Sequence, residues 1–481
     1  MDTLLIDGEW TAAQDGRSFE KEDPFTGESA GSASAASRAD ARAAADAAAA
    51  AFPEWAATPP SARRELLNKA AGLVSERAQD IAAIVTEETG GTFGWGMFNC
   101  GLAAGMLQEA AALTTSVTGE VIPSDVPGLT AMGIRQPAGV VLGIAPWNAP
   151  VILGTRAVAA PLGCGNTVIL KASEVCPRTH AEIGRALNDA GLPPGVVNVV
   201  THEADDAPDV VDELIAHPAV RRINFTGSTR VGRLIAENAA RHLKRVLLEL
   251  GGKAPLVVLP DADLEEAVAA AKFGAFMHQG QICMSTERVV VDSSVSGDFA
   301  ARLGEKAGAL KVGDPRDPET QIGPMVNASA VERVHGLVRD AVDQGAELVT
   351  GGEPDGALFP PTVLSGVTPQ MKIYSEESFG PVVGLIEVDG ADEAVRVAND
   401  TEYGLAAAVF GGHVPTALDV ARRIESGICH VNGSTVHDEP QMPFGGVKAS
   451  GFGRFGGKFA IEEFTELRWI TVQSGRREYP I

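Results

Sequence analysis

Three short segments hold side chains able to make or break covalent bonds. Residues 279–288 read Gln-Gly-Gln-Ile-Cys-Met-Ser-Thr-Glu-Arg and contain Cys283. A thiolate is the best side-chain nucleophile near neutral pH, so Cys283 is a candidate for covalent catalysis. Taken alone, a single cysteine reads as a small buried apolar residue, and only its company can reverse that. Residues 247–253 read Leu-Leu-Glu-Leu-Gly-Gly-Lys. Glu249 lies between Leu248 and Leu250 in an apolar, strand-like run, where burial raises a carboxyl pKa and suits the group to accepting protons. The alternative for Glu249 is half of a buried structural ion pair. Residues 145–148, Ala-Pro-Trp-Asn, end in Asn148, which by itself reads as a loop cap.

Two glycine motifs bear on phosphate binding. Gly451, Gly453 and Gly456 form a formal G-x-G-x-x-G. A dinucleotide fingerprint must follow a strand and open a helix, whereas this one lies in the glycine-rich loop 443–457, so it is set aside. The better candidate is Phe225-Thr-Gly-Ser-Thr-Arg-Val-Gly232. A strand, 223–225, runs into it and a helix, 231–240, runs out. Backbone N–H groups at a helix N-terminus favour a phosphate, and glycine allows close approach. A plain strand-to-helix turn is the alternative.

The elements that must position these residues follow from pattern. The N-terminal part reads as helical: an alanine-rich stretch over 38–58, then apolar residues at helical spacing over 61–89, ended by Gly90-Gly91. Residues 117–137 are punctuated by glycine and proline around short strand-like pieces and predict an extended hairpin arm. Apolar strands at 140–144, 168–170, 196–200, 222–225 and 246–248 then alternate with helices such as 177–190, which predicts a doubly wound α/β sheet. A second α/β series follows, with strands at 256–259, 288–291, 346–349 and 382–388 and a helix at 264–277. The end, 468–474, again looks like a strand.

Bulk properties remove other function classes. The 481 residues include 39 basic and 63 acidic side chains, a net charge of −24 that repels nucleic acid and anionic membrane. The segment 139–170 carries only Arg156 as a charge, yet prolines and asparagines interrupt it, so it reads as strand, loop and core helix rather than a membrane span. Residues 1–19 lack the pattern of a secretory signal. Cys100, Cys164, Cys176, Cys283 and Cys429 show no C-x-x-C pair, so neither a disulfide framework nor a metal site is indicated, and a cytoplasmic protein is expected.

The three segments, the Gly227 turn, Lys171-Ala-Ser-Glu174, Glu376-Glu-Ser-Phe-Gly-Pro381 and Pro443-Phe-Gly-Gly-Val-Lys448 together resemble the aldehyde dehydrogenase superfamily. They occur in that family's order, and the helical N-terminus and arm also suit it, so the resemblance covers nearly the whole chain. It implies an α/β aldehyde dehydrogenase-like fold: a Rossmann-type NAD(P)-binding domain over 1–117 and 138–250, an α/β catalytic domain over 251–450, and a β-arm for oligomerisation over 118–137 and 464–481.

The resemblance also implies roles. Cys283 is the nucleophile that becomes a thioester, Asn148 the oxyanion donor together with the Cys283 N–H, and Glu249 the general base. Lys171 and Glu174 hold the adenosine ribose, and a carboxylate there repels a 2′-phosphate, so NAD is expected over NADP. Phe225, Gly227, Ser228 and Val231 flank adenine and pyrophosphate. Glu377 and Phe379 position the nicotinamide end, with Trp147, Leu250 and Gly251 also on the cofactor. The segments around Cys283 and at 431–448 look most like the aromatic-aldehyde branch (salicylaldehyde, benzaldehyde and vanillin dehydrogenases). Ala149 stands where many members carry a bulky aromatic, and the loop 437–442, with His437, borders the substrate tunnel in the family. The partners implied are a small aldehyde and further copies of the chain, as a homodimer or homotetramer. The alternatives are an aliphatic or semialdehyde dehydrogenase, a CoA-acylating relative, and a catalytically silent homologue.

Overall fold

The structure is a computed structural model that describes residues 3–481. Its centre is an eight-stranded sheet. Five parallel strands run, in spatial order, Arg245–Glu249, Val220–Thr226, Val140–Ile144, Thr167–Lys171 and Val197–Val200. Val140–Ile144 and Thr167–Lys171 are buried along their whole length, because helices cover both faces of the sheet, and this is why they read as unbroken apolar runs. The strand order reverses between Val140–Ile144 and Val220–Thr226. In such sheets the crevice beyond the carboxyl ends at the reversal is where ligands bind. The Asn148 loop leaves one of these two strands and the Gly227 turn leaves the other.

Residues 3–34 precede the expected helices and form short strands. Leu4–Ile6 and Glu9–Thr11 form a hairpin that extends the central sheet beyond Val197–Val200, and Ser18–Glu22 pairs with Ser29–Ser34. The hairpin turn is Asp7-Gly8, both at positive φ (53° and 82°), the arrangement that Asp-Gly favours between two strands. The helices begin at Arg38–Ala57, where Ser37 and Asp40 form a reciprocal capping box, and continue as Pro60–Glu76, Ala78–Thr89 and Phe93–Leu113.

A second, seven-stranded sheet runs Glu347–Thr350, Thr362–Ser365, Val382–Val388, Thr286–Asp292, Ala254–Val258, Ala406–Phe410 and Ile428–Val431. The chain then returns to the first sheet, where Gly451–Phe452 pairs with Leu248 and Glu249. The arm is a three-stranded sheet in which Leu129–Pro137 lies between Glu120–Ile122 and Thr465–Gln473. The expected arm and terminal strand therefore pair within one chain. Val121 and Trp469 stay 74% and 76% exposed on this sheet, a large apolar offering to solvent. Among the described residues no helix is long and apolar enough to cross a membrane.

Candidate active site

Cys283 follows a backbone run that few sequences tolerate. His278, Gln279 and Gly280 have φ of 50°, 56° and 66°. Left-handed conformations at non-glycine residues cost about 1–3 kcal/mol each, so surrounding contacts must hold them. The Gln279 amide donates to the carbonyls of Gly90 (3.0 Å) and Pro324 (2.8 Å). Gly280 lies so close to the Gly380 carbonyl that no side chain fits there. His278 is buried and stacks on Trp95 with ring centroids 4.7 Å apart, and burial lowers its pKa to about 3, so it is neutral. Beyond the cysteine, the Thr435 hydroxyl donates to the Met284 carbonyl (2.7 Å), pinning the 434–446 loop against the Cys283 turn.

Asn148 is brought to the same turn from the other strand end. Its side-chain amide donates to the Gln281 carbonyl at 3.0 Å, which orients the group and leaves its second N–H without a protein partner. The Trp95 indole N–H donates to the Asn148 carbonyl at 3.1 Å, so the backbone is held as well. Glu249 ends its strand opposite Thr226 in register, is 1% exposed, and neither carboxyl oxygen has a hydrogen-bond partner. Burial is the main cause that pushes its pKa up to about 8. Arg156, Arg454 and the Gly446 backbone oppose the rise, and Asp438 adds to it. Burial, and then the nearby Glu249, also raise the Cys283 thiol well above its ordinary value, so the thiol rests protonated. A neutral thiol near a carboxyl whose pKa burial has raised to about 8 is an arrangement able to supply a nucleophile and a base.

A cleft of about 890 Å3 opens over this point. Of the residues singled out from sequence, it is lined by Trp147, Asn148, Gly227, Ser228, Leu250, Gly251, Cys283, Glu377 and Phe379. Glu249, Lys171, Glu174, Phe225 and Val231 do not line it. Phe225 lies beneath Gly227, where a Cβ would come within 2.5 Å of its ring. Lys171 is buried at the end of its strand, with its pKa lowered by burial against the pull of Glu174. Gly451, Gly453 and Gly456 are absent from the lining, and Gly451 instead braces the Glu249 strand.

The cleft has the features of a dinucleotide site. The 13-residue helix Thr229–Arg241 points its N-terminus there, capped by Ser228, whose hydroxyl accepts from the Val231 N–H. Bare backbone at Gly227 lets an anion approach these N–H groups. The Glu377 carboxylate accepts from the Gly252 N–H at 2.8 Å, and a Cβ on Gly251 would sit 2.8 Å from its other oxygen. Burial, then Glu287, push the Glu377 pKa up to about 7. Trp147 and Phe379 meet edge to face at 5.7 Å.

Several site residues had no role in the sequence reading. Arg230, Arg333, Glu402 and Tyr403 also line the cleft. Glu287 accepts from the Ser378 N–H (2.7 Å), the Phe379 N–H (3.0 Å) and the Lys253 ammonium (2.5 Å), tying the loop of Glu377 to the strand Thr286–Asp292 that follows Cys283. Glu287 and Lys253 both stand inside motifs quoted above, so the signal was present. Trp95 had none, since its helix is remote in sequence. His437 is exposed and bonded to Glu439 at 3.0 Å, whereas Arg156 is buried in an ion pair with Asp438.

Comparison with known proteins agrees with this geometry. The model of the aldehyde dehydrogenase family matches residues 10–470. A vanillin dehydrogenase of Pseudomonas fluorescens is 57% identical over 478 residues, covering 99% of both chains. A benzaldehyde dehydrogenase of Bacillus subtilis (strain 168) is 41% identical, covering 99% of this chain and 98% of its own. The crystal structure of a salicylaldehyde dehydrogenase from Pseudomonas putida G7, complexed with salicylaldehyde, superposes with a TM-score of 0.98 at 47% identity, over 99% of each chain. The parallel sheets, the cleft at their reversal and the thiol, amide and carboxyl gathered beneath it are thus those of an inherited catalytic scaffold, and the chain belongs to the aldehyde dehydrogenase family.

Proposed function

We propose that the protein oxidises aromatic aldehydes of the benzaldehyde, salicylaldehyde or vanillin type to carboxylic acids, with NAD preferred over NADP. The observation that carries the chemistry is the buried, partnerless Glu249 carboxyl beside a thiol whose neighbouring amide has an N–H to spare. Glu249 takes the Cys283 proton, and the thiolate sulfur adds to the aldehyde carbon. The oxyanion so formed is held by the free Asn148 N–H and the Cys283 backbone N–H, and a preorganised donor of this kind is worth about 2.7–4 kcal/mol. A nicotinamide dinucleotide, when bound, supplies the acceptor for the hydride that leaves the former aldehyde carbon. What remains on Cys283 is a thioester. Glu249 first releases the Cys283 proton to solvent, then takes a proton from water as the oxygen adds to the thioester carbon; the adduct collapses with that proton passing to the sulfur, and the acid departs with return of the thiol. A base so placed favours hydrolysis over acyl transfer to coenzyme A, and a silent homologue has no need of the full set. The relatives named for aromatic aldehydes support the substrate class, as does the small Ala149 beside the oxyanion donor.

The test is kcat/KM for benzaldehyde, salicylaldehyde, vanillin, hexanal and acetaldehyde with saturating cofactor. Burying a ring in an apolar slot, at about 25 cal/mol per Å2, should give benzaldehyde or a hydroxylated relative at least about a tenfold lead over acetaldehyde, or about 1.4 kcal/mol. A panel led by acetaldehyde or a semialdehyde sinks the aromatic reading and leaves the dehydrogenase standing.

A dinucleotide would be held at its phosphates by the helix of Ser228, at its nicotinamide end by Trp147, Glu377 and Phe379, and at its adenosine ribose by Lys171 and Glu174, which stand outside the cleft lining. Glu174 follows the buried Lys171 by three residues and accepts from a 2′-hydroxyl but repels a 2′-phosphate. Glu174→Gln should narrow the ratio of kcat/KM for NAD over NADP. A wild-type ratio favouring NADP refutes the assignment. The 1–117 and 138–250 segments form the cofactor domain, 251–450 the catalytic domain, and 118–137 with 464–481 the arm. The exposed Val121 and Trp469 on that arm are read as a surface between copies, giving a homodimer or homotetramer. Light scattering at micromolar concentration checks this, and a monomeric mass excludes it.

A further inference from the structure

Arg156 lies on the helix Pro150–Gly163, which begins two residues after Asn148. Its guanidinium sits 4.1 Å from the centroid of the Phe444 ring and 5.9 Å from that of Phe455, and its side chain is 6% exposed. A desolvated guanidinium near a reacting thiol is a ready receptor for a carboxylate, which its planar fork matches. Here that place is already taken. Asp438 forms an ion pair with Arg156 and is itself 10% exposed, and its second oxygen, Oδ1, is buried without a partner. The loop that carries Asp438 is fixed to the nucleophile's turn through Thr435 and Met284. Arg156 and Asp438 are among the groups whose charges act on both Cys283 and Glu249.

The cavity behind the pair, about 30 Å3, is lined by one cation, Arg156, and three carboxylates, Glu109, Asp438 and Glu439. Within this cavity no positive charge is left unpaired. An anion that enters this cavity must either displace Asp438, stranding a buried carboxylate, or face the lone pairs of its free oxygen, and both are unfavourable in a desolvated site.

We propose that Asp438 is a specificity-determining residue: by claiming Arg156 from within, it makes the site accept neutral ring aldehydes and reject those that carry a carboxylate. This rests on the aromatic-aldehyde reading above and adds a charge rule to it. Asp438 acts through Arg156, so removing its charge while keeping its shape should convert Arg156 into a receptor for the anion it now excludes.

The experiment compares 4-carboxybenzaldehyde and its 2- and 3-isomers with methyl 4-formylbenzoate, a ring of similar size without the charge, at pH 8 and saturating cofactor. In the wild type the ester should lead each acid by about tenfold or more in kcat/KM. In Asp438→Asn the ratio of acid to ester should rise by about tenfold or more for at least one isomer, and in Arg156→Met/Asp438→Asn that gain should vanish, because the new receptor is gone. A wild type that turns over an acid as well as the ester overturns the proposal without any variant. So does an Asp438→Asn protein in which acids and ester fall together, as a purely structural role would produce. Failure of the aromatic reading looks different: hexanal or acetaldehyde then outruns the ester itself, whatever the ratio of acid to ester.

Discussion

Cys283→Ala should lower NADH formation from benzaldehyde by about four orders of magnitude or more, while the Kd for the dinucleotide stays within about twofold of the wild type. The size of the loss follows from what the sulfur does. Without it no tetrahedral adduct forms on the protein, and the remaining oxyanion donors have no oxyanion to hold. Binding is spared because the cofactor features of the cleft lie elsewhere, on the Thr229–Arg241 helix, Glu377, Trp147 and Phe379. Steady-state absorbance and a fluorescence titration of the cofactor check the two halves. Turnover near the wild-type rate in this variant would remove Cys283 from the mechanism.

Glu249→Gln should separate the two halves of the reaction. An amide cannot take the proton from water, so thioester hydrolysis should slow by about 10²–10⁴-fold. Acylation suffers less, since bulk base can deprotonate a thiol but is poorly placed to activate a water beside a buried thioester. Stopped-flow mixing should then show a burst of reduced cofactor close to one per site, followed by a slow steady rate. The pH dependence has a definite sign. Burial pushes the Glu249 pKa up to about 8, so below that pH the group is protonated and cannot accept. The wild-type hydrolysis rate should therefore climb about tenfold per unit below pH 8 and level off above it, and the glutamine variant should lose this limb. Wild-type turnover in the variant, or an unchanged limb, assigns the base elsewhere.

The match of sequence to site is uneven, and the unevenness has physical causes. Glu249 was legible because a carboxylate inside Leu-Leu-Glu-Leu contradicts an apolar strand, and a contradiction in a local pattern marks function. Gly227 was legible because strand, glycine and helix follow one another along the chain. The Asp7-Gly8 hairpin was equally local, and the sequence Leu-Leu-Ile-Asp-Gly-Glu-Trp does carry the turn signal. Its two strands are three residues each, too short to show the alternation that would mark a hairpin.

By itself, then, the sequence determined what depends on neighbours in the chain: the alternation of buried strands and helices, the turn that exposes backbone N–H groups, the acid in an apolar strand and the candidate thiol. The tertiary structure decided what depends on partners far away. It alone pairs Arg156 with Asp438, 282 positions on, and so fixes the charge the substrate meets. It alone turns the Asn148 amide toward Gln281 with one N–H free, and sets Trp95 against both Asn148 and His278. Nor could composition tell that the Cys283 thiol rests protonated, because desolvation belongs to the packed protein and not to the residue. Chemistry is written in residue types, whereas protonation, orientation and selectivity are set by what folding places beside them.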